Sequence, residues 1–140
     1  IKADGLREID GGDLEGRPFA QIPELFPGQW DIWESCPHLF AGIHGESMRS
    51  VYDRMVHTVL SVVRQNRGKT VGIVSHGCAL RNFMVFAHQE SFEHLKDMPW
   101  CANTGMSRVD FDGNLNPTVV FECDSSHLNE TLANPALGTR

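Results

Sequence analysis

The sequence predicts an α/β fold, a mostly parallel sheet with helices packed on its faces, and three observations predict it. Residues 70–75 (TVGIVS) form a short apolar run rich in β-branched side chains, with no polar alternation. That is the pattern of a parallel strand buried on both faces. Two stretches of helical character flank the run, 46–66 before it and 78–89 after it. Near the carboxyl end, residues 103–112 and 117–122 read as two strands joined by Asp112-Gly113-Asn114, a strong hairpin turn.

Taken in order, residues 5–10 (GLREID) are short and mixed and read as a strand or strand end. They run into Gly11, Gly12 and Gly16, which mark a tight loop. Pro18 suits the first turn of a short helix over 19–25. Residues 26–43 hold Pro27, Gly28, Pro37, Gly42, Trp30, Trp33 and Phe40, the content of an irregular but packed cap. In the long helix, Met48, Val51, Tyr52, Met55, Val56, Val59, Leu60, Val62 and Val63 recur along one broad stripe, and Asn66-Arg67-Gly68 ends it. Residues 90–99 form a polar connector. One domain is expected over 1–128, followed by a polar tail over 129–140 that frays.

Twelve basic against eighteen acidic side chains give a net charge of −6, without the basic face that a nucleic-acid or membrane-surface protein needs. No apolar run is long enough to span a bilayer and no leader is visible. Cys36, Cys78, Cys101 and Cys123 lie far apart with no C-x-x-C pair, so zinc-knuckle spacing is absent. Their even number permits two disulfides, but reduced thiols in a cytoplasmic protein are the expectation. No cofactor or metal is implied: His76, His88 and His94 lack ligand spacing.

The chemistry is expected where the apolar run meets Ser75-His76-Gly77. Open α/β sheets place ligands at the carboxyl ends of their strands, and the helix beginning there offers free N–H groups and a dipole that favour an anion. A histidine at that point suits phosphate, and Gly77 lets the backbone approach it closely. On position alone, the same histidine would be an ordinary polar loop residue.

Taken together, LREIDGGDLEGR (6–17), GES (45–47) with Arg54 a helical distance on, VGIVSHGCALR (71–81) and NTGMSRVDFD (103–112) resemble the histidine phosphatase superfamily, the phosphoglycerate-mutase-like phosphatases and mutases. The resemblance runs over about 5–128. It implies a three-layer sandwich, phosphohistidine chemistry without cofactor, and a small phosphorylated substrate; it is compatible with a homodimer. Carried over, His76 resembles the phosphate-binding histidine of the family's S-H-G motif, Gly77 lends its N–H to the same pocket, and Glu8 resembles the proton donor of the L-x-E-x-x-x-G segment. Glu15 is the rival donor; Arg17 and Asn103 are weaker candidates for the pocket, and Arg81 reads as a helix-surface residue.

One departure is large. The R-H-G motif that carries the family's nucleophilic histidine is absent, and His44-Gly45, preceded by Ile43, does not replace it. The expectation is therefore the carboxyl-terminal portion of a longer phosphomonoester hydrolase, with the central strands and the nucleophile upstream. The alternatives are mutase-type phosphotransfer, or a silent phosphate- or partner-binding domain. A serine hydrolase would need glycine at position 73, where Ile73 stands, and no G-x-G-x-x-G supports a dinucleotide fold.

Overall fold

The structure, a computed structural model, describes residues 1–128; the tail expected over 129–140 lies outside the described residues. Its centre is a pair of helices. α3 (Met48–Gln65) starts at Ser47, whose Oγ accepts the Ser50 N–H at 3.1 Å, the usual hydroxyl cap. α4 (Gly77–Ala87) is apolar almost all round, and accordingly buried on most sides. Val51, Met55 and Val59 recur every four residues along α3 and meet Ala79, Phe83, Met84 and Ala87 of α4, forming the main core. A second cluster, Phe40, Met48, Cys78, Val85 and Leu95, joins α4 to the cap.

The cap is more regular than expected. After a 3-10 turn over Phe19–Gln21 come two helices, α1 (Ile22–Leu25) and α2 (Pro27–Ser35), each with proline in its first turn. That is the position where a missing N–H costs nothing. The connector after α4 folds as a 3-10 segment, Phe92–Asp97. β1 (Met106–Phe111) and β2 (Pro117–Asp124) pair antiparallel around the predicted turn, where Asp112 accepts the N–H groups of Asn114 and Asn116 at 2.8 Å.

Three expectations need correction. Residues 5–10 form no strand: a 3-10 turn over Asp4–Leu6 leads into a path that joins no sheet among the described residues. Residues 70–76 take no regular secondary structure and hydrogen-bond to no neighbouring strand among the described residues, and Val74 is 91% exposed. The only sheet among the described residues is β1–β2. A cleft of about 760 Å³ separates 69–73 from β1, floored by Val59, Leu80 and Phe83; a sheet lacking its middle leaves such a gap, so the expected truncated α/β sandwich stands. Lastly, Cys101 and Cys123, 22 residues apart, form a disulfide. The hairpin brings them together, which spacing alone did not disclose, and the cytoplasmic expectation loses the reduced-thiol argument behind it. No helix among the described residues is long and apolar enough to cross a membrane.

Candidate active site

The site is built where the path after Asp4–Leu6 meets the first turn of α4. His76 caps that helix in extended backbone (φ −122°, ψ 166°), leaving the first N–H groups of α4 pointing outward. Glu8 reaches across to them: its carboxylate accepts the N–H of Cys78 at 3.1 Å and of Ala79 at 2.9 Å, and also that of Ile9 at 2.9 Å. The carboxylate thus occupies part of the anion-favouring end of the helix. The His76 side chain is exposed and contacts no other described residue through a hydrogen bond, ion pair or ring. Gly77 is exposed too, and a Cβ there would lie 3.4 Å from the Trp100 ring.

An unpaired segment must find partners for its carbonyls elsewhere, and here Arg54 of α3 supplies them. Its guanidinium donates to the carbonyls of Gly5 (2.9 Å), Arg7 (2.7 Å) and Glu8 (3.0 Å). It also grips Glu46 with two parallel bonds, Nε to Oε1 at 2.9 Å and Nη2 to Oε2 at 3.0 Å. Only a planar fork of donors can do both at once. Glu46 in turn accepts Arg7 Nη2 at 2.8 Å and the Asp10 N–H at 3.1 Å. Ser75 completes the clamp by donating Oγ–H to the Leu6 carbonyl at 2.7 Å. Gly5 is required because the segment lies so close to α3 that a Cβ would collide with Thr58.

The electrostatics follow this geometry. Burial alone would raise the Glu46 carboxyl, but the Arg54 hydrogen bond, the Asp10 N–H and the charges of Arg54 and Arg7 outweigh it and hold it below the ordinary carboxylate value. The Cys78 thiol is pushed up to about 12, by burial first and then by the nearby Glu8 charge, so it stays protonated and unreactive at neutral pH.

Of the residues singled out in the sequence, Glu8, His76 and Gly77 therefore meet at one helix end. Others lie apart. Glu15 is tied to the Gly11 N–H at 2.8 Å, and Arg17 and Asn103 are exposed. Arg81 donates to the carbonyls of Met98 and Lys96, both at 2.7 Å, and lies 4.6 Å above the Trp100 ring. His44 pairs with Asp13 at the surface, 3.0 Å away. Sequence reasoning assigned no role to Glu46 and Arg54. The eight-residue interval between them across the start of α3 was the one available clue. Among the described residues no cluster of three or more His, Cys, Asp or Glu could hold a metal ion.

Comparison with known proteins bears on the fold and the family. The chain is 33% identical to YhfR of Bacillus stearothermophilus, whose solved structure superposes with a TM-score of 0.85 over 91% of this chain and 63% of that one. Over 81 residues it is 33% identical to phosphoserine phosphatase 1 of Hydrogenobacter thermophilus, covering 58% of this chain and 38% of that protein. A mycobacterial glucosyl-3-phosphoglycerate phosphatase, 19% identical, shares the fold with a TM-score of 0.77 over 88% of this chain and 64% of its own. The chain therefore spans between about two fifths and two thirds of the length of these relatives. The family model of the histidine phosphatase superfamily (branch 1) matches residues 1–124, and the chain belongs to that superfamily.

Proposed function

We propose that this chain carries the phosphate-binding and proton-donating part of a phosphomonoester hydrolase. Its substrate is a small phosphorylated molecule, and the reaction passes through a phosphohistidine. The reading rests above all on the meeting of the Glu8 carboxyl with the His76–Gly77 end of α4. The two similar proteins named as phosphatases support the reaction class.

Phosphoryl transfer asks an enzyme for position and for positive charge around the phosphoryl oxygens. Protonated His76 would supply a charge and an N–H donor, and the Gly77 N–H with the α4 dipole a second contact. The nucleophilic imidazole would come from a segment outside these 140 residues, and the cleft of about 760 Å³ beside 69–73 is roomy enough to seat a strand leading to His76. Attack by that imidazole forms the N–P bond and breaks the P–O bond to the leaving group. Glu8, protonated at this stage, gives its proton to the leaving oxygen. Water then attacks the phosphohistidine, Glu8 takes one of its protons, and the freed imidazole and inorganic phosphate result.

Two substitutions test the assignment in the complete enzyme. His76→Ala is expected to lower kcat/KM by about 100-fold or more, the order seen when one oxyanion donor is lost; turnover like that of the wild type refutes the role. Glu8→Gln is expected to slow alkyl phosphates, whose leaving oxygen needs a proton, at least tenfold more than aryl phosphates with good leaving groups. Equal losses on both substrates count against Glu8 as the donor.

A further inference from the structure

The Cys101–Cys123 disulfide takes no part in the chemistry above, yet the residue beside it touches the site. Trp100, directly before Cys101, lies against the first turn of α4: a Cβ on Gly77 would meet its Cζ3 at 3.4 Å and its Cε3 at 3.6 Å. One turn further along the same face, the Arg81 guanidinium sits 4.6 Å from the ring centroid. Trp33 of α2 stacks on the ring at 6.4 Å, with the two planes 28° apart. One indole thus joins the cap to the helix end that carries His76 and Gly77.

The backbone that bears this ring belongs to no helix or strand. Residues 99–105 run irregularly into β1, through a turn closed by the Gly105 N–H on the Ala102 carbonyl at 2.9 Å. The β1–β2 ladder is irregular at this end as well, with register shifts between Met106 and Arg108 and between Arg108 and Val109. Cys123 itself is left-handed (φ 52°), a conformation that persists in such a residue only where its surroundings impose it. An irregular segment opens locally at low cost. The disulfide, spanning 22 residues, removes that freedom by tying the segment to the end of β2. Both cysteines are half-buried, within reach of a small thiol.

We propose that Cys101 and Cys123 form a redox-sensitive latch: as a disulfide they hold Trp100 against Gly77, and as two thiols they release the ring and loosen the phosphate end of α4. In naming that end the phosphate end, the latch rests on the phosphatase reading. The switch is exchange with a dithiol. One thiolate of the dithiol attacks a cysteine sulfur, the protein S–S bond breaks and a mixed disulfide forms. Its second thiolate then displaces the protein sulfur, so the dithiol leaves as a disulfide, having given two electrons and two protons to Cys101 and Cys123. Trp100 is the positioning residue, since it acts through Gly77.

The test is calorimetric binding of inorganic phosphate to the complete enzyme before and after dithiothreitol. Alkylation with peptide mapping reports the state of the pair, and circular dichroism reports the fold. Reduction is expected to weaken phosphate binding about tenfold, the worth of one hydrogen bond to an anion, with the fold retained. Oxidised glutathione should restore it. The double variant Cys101→Ser, Cys123→Ser should bind like the reduced enzyme and ignore dithiothreitol. Trp100→Ala should bind weakly in both states, whereas Trp100→Phe, which keeps a ring, should keep most of the response. Equal affinity in the two states overturns the latch and leaves the phosphatase reading standing. So does a response that survives Trp100→Ala, loss of the whole fold on reduction, or alkylation of both cysteines before any reductant is added. An oxidised, folded enzyme that binds no phosphate overturns the phosphatase reading, and the latch with it.

Discussion

Arg54 determines more of the site's geometry than any residue that would touch phosphate. Three backbone carbonyls and both oxygens of Glu46 depend on its one guanidinium, and both side chains of the pair are about 15% exposed. Removing one member of such a pair leaves a mostly buried charge and unpaired carbonyls, a loss of about 3 kcal/mol or more. Lysine keeps the charge but cannot form the fork. Arg54→Lys is therefore expected to lower stability by about 2 kcal/mol in denaturant unfolding and to reduce kcat in the complete enzyme with little change in KM, because it frees the segment that carries Glu8. A stability loss with kcat intact would show that Arg54 does not position Glu8. Glu46 adds a pH dependence. Its folded value lies below the ordinary 4.5, so the unfolded chain binds its proton more readily. The stability it contributes is fully present above about pH 4.5 and is lost as pH falls through the folded value. Glu46→Gln should lower stability at pH 7 and flatten the acid limb of the stability profile; an unchanged acid limb would contradict the sign.

At the scale of elements, legibility followed the source of each element's stability. α3 was readable because its pattern is self-contained: Val51, Met55 and Val59 at a spacing of four, and Asn66-Arg67-Gly68 after the last turn. Ser47→Ala is expected to cost about 1 kcal/mol in chemical denaturation, the usual worth of a cap; a loss below about 0.3 kcal/mol would mean that Glu46 and the chain before it hold the helix start without the cap. The hairpin was readable because Asp112 organises its turn through local bonds to Asn114 and Asn116. By contrast, α2 was hidden by Pro27 and Gly28 at its start and three aromatic residues nearby, a composition that reads as irregular until Trp33 finds Phe40 and Trp100. Residues 5–10 read as a strand from their short, mixed sequence, but a 3-10 turn takes up their start and the partner of their carbonyls is a side chain from α3, 46 to 49 residues away. No periodicity reports that. In the site, the local sequence around Ser75-His76-Gly77 disclosed its place at the start of α4, whereas the Arg54–Glu46 support stayed hidden, since its meaning lies in contacts made only after folding.

For the molecule as a whole, residues 70–76 decide how the chain behaves. They are strand-like in composition but pair with no strand among the described residues, and they end at the residue proposed to hold phosphate. An open row of N–H and C=O groups with apolar side chains invites a further strand, and the cleft between 69–73 and β1 is floored by the α3–α4 core on which a sheet would rest. The position of His76 thus depends on the α4 end and on the Ser75–Leu6 hydrogen bond for as long as that cleft is open. In the 140-residue polypeptide, amides of residues 71–75 are expected to exchange with solvent at least a hundredfold faster than those of Val51, Met55 and Val59, which sit in the helical core. Adding the segment that carries the nucleophile should slow exchange at 71–75 without altering the helix. Slow exchange that appears only at high protein concentration would mean that a second copy supplies the pairing. Slow exchange at every concentration would mean that 70–76 is already paired within the chain, and the open cleft could then not receive the strand that the proposed phosphohistidine reaction requires.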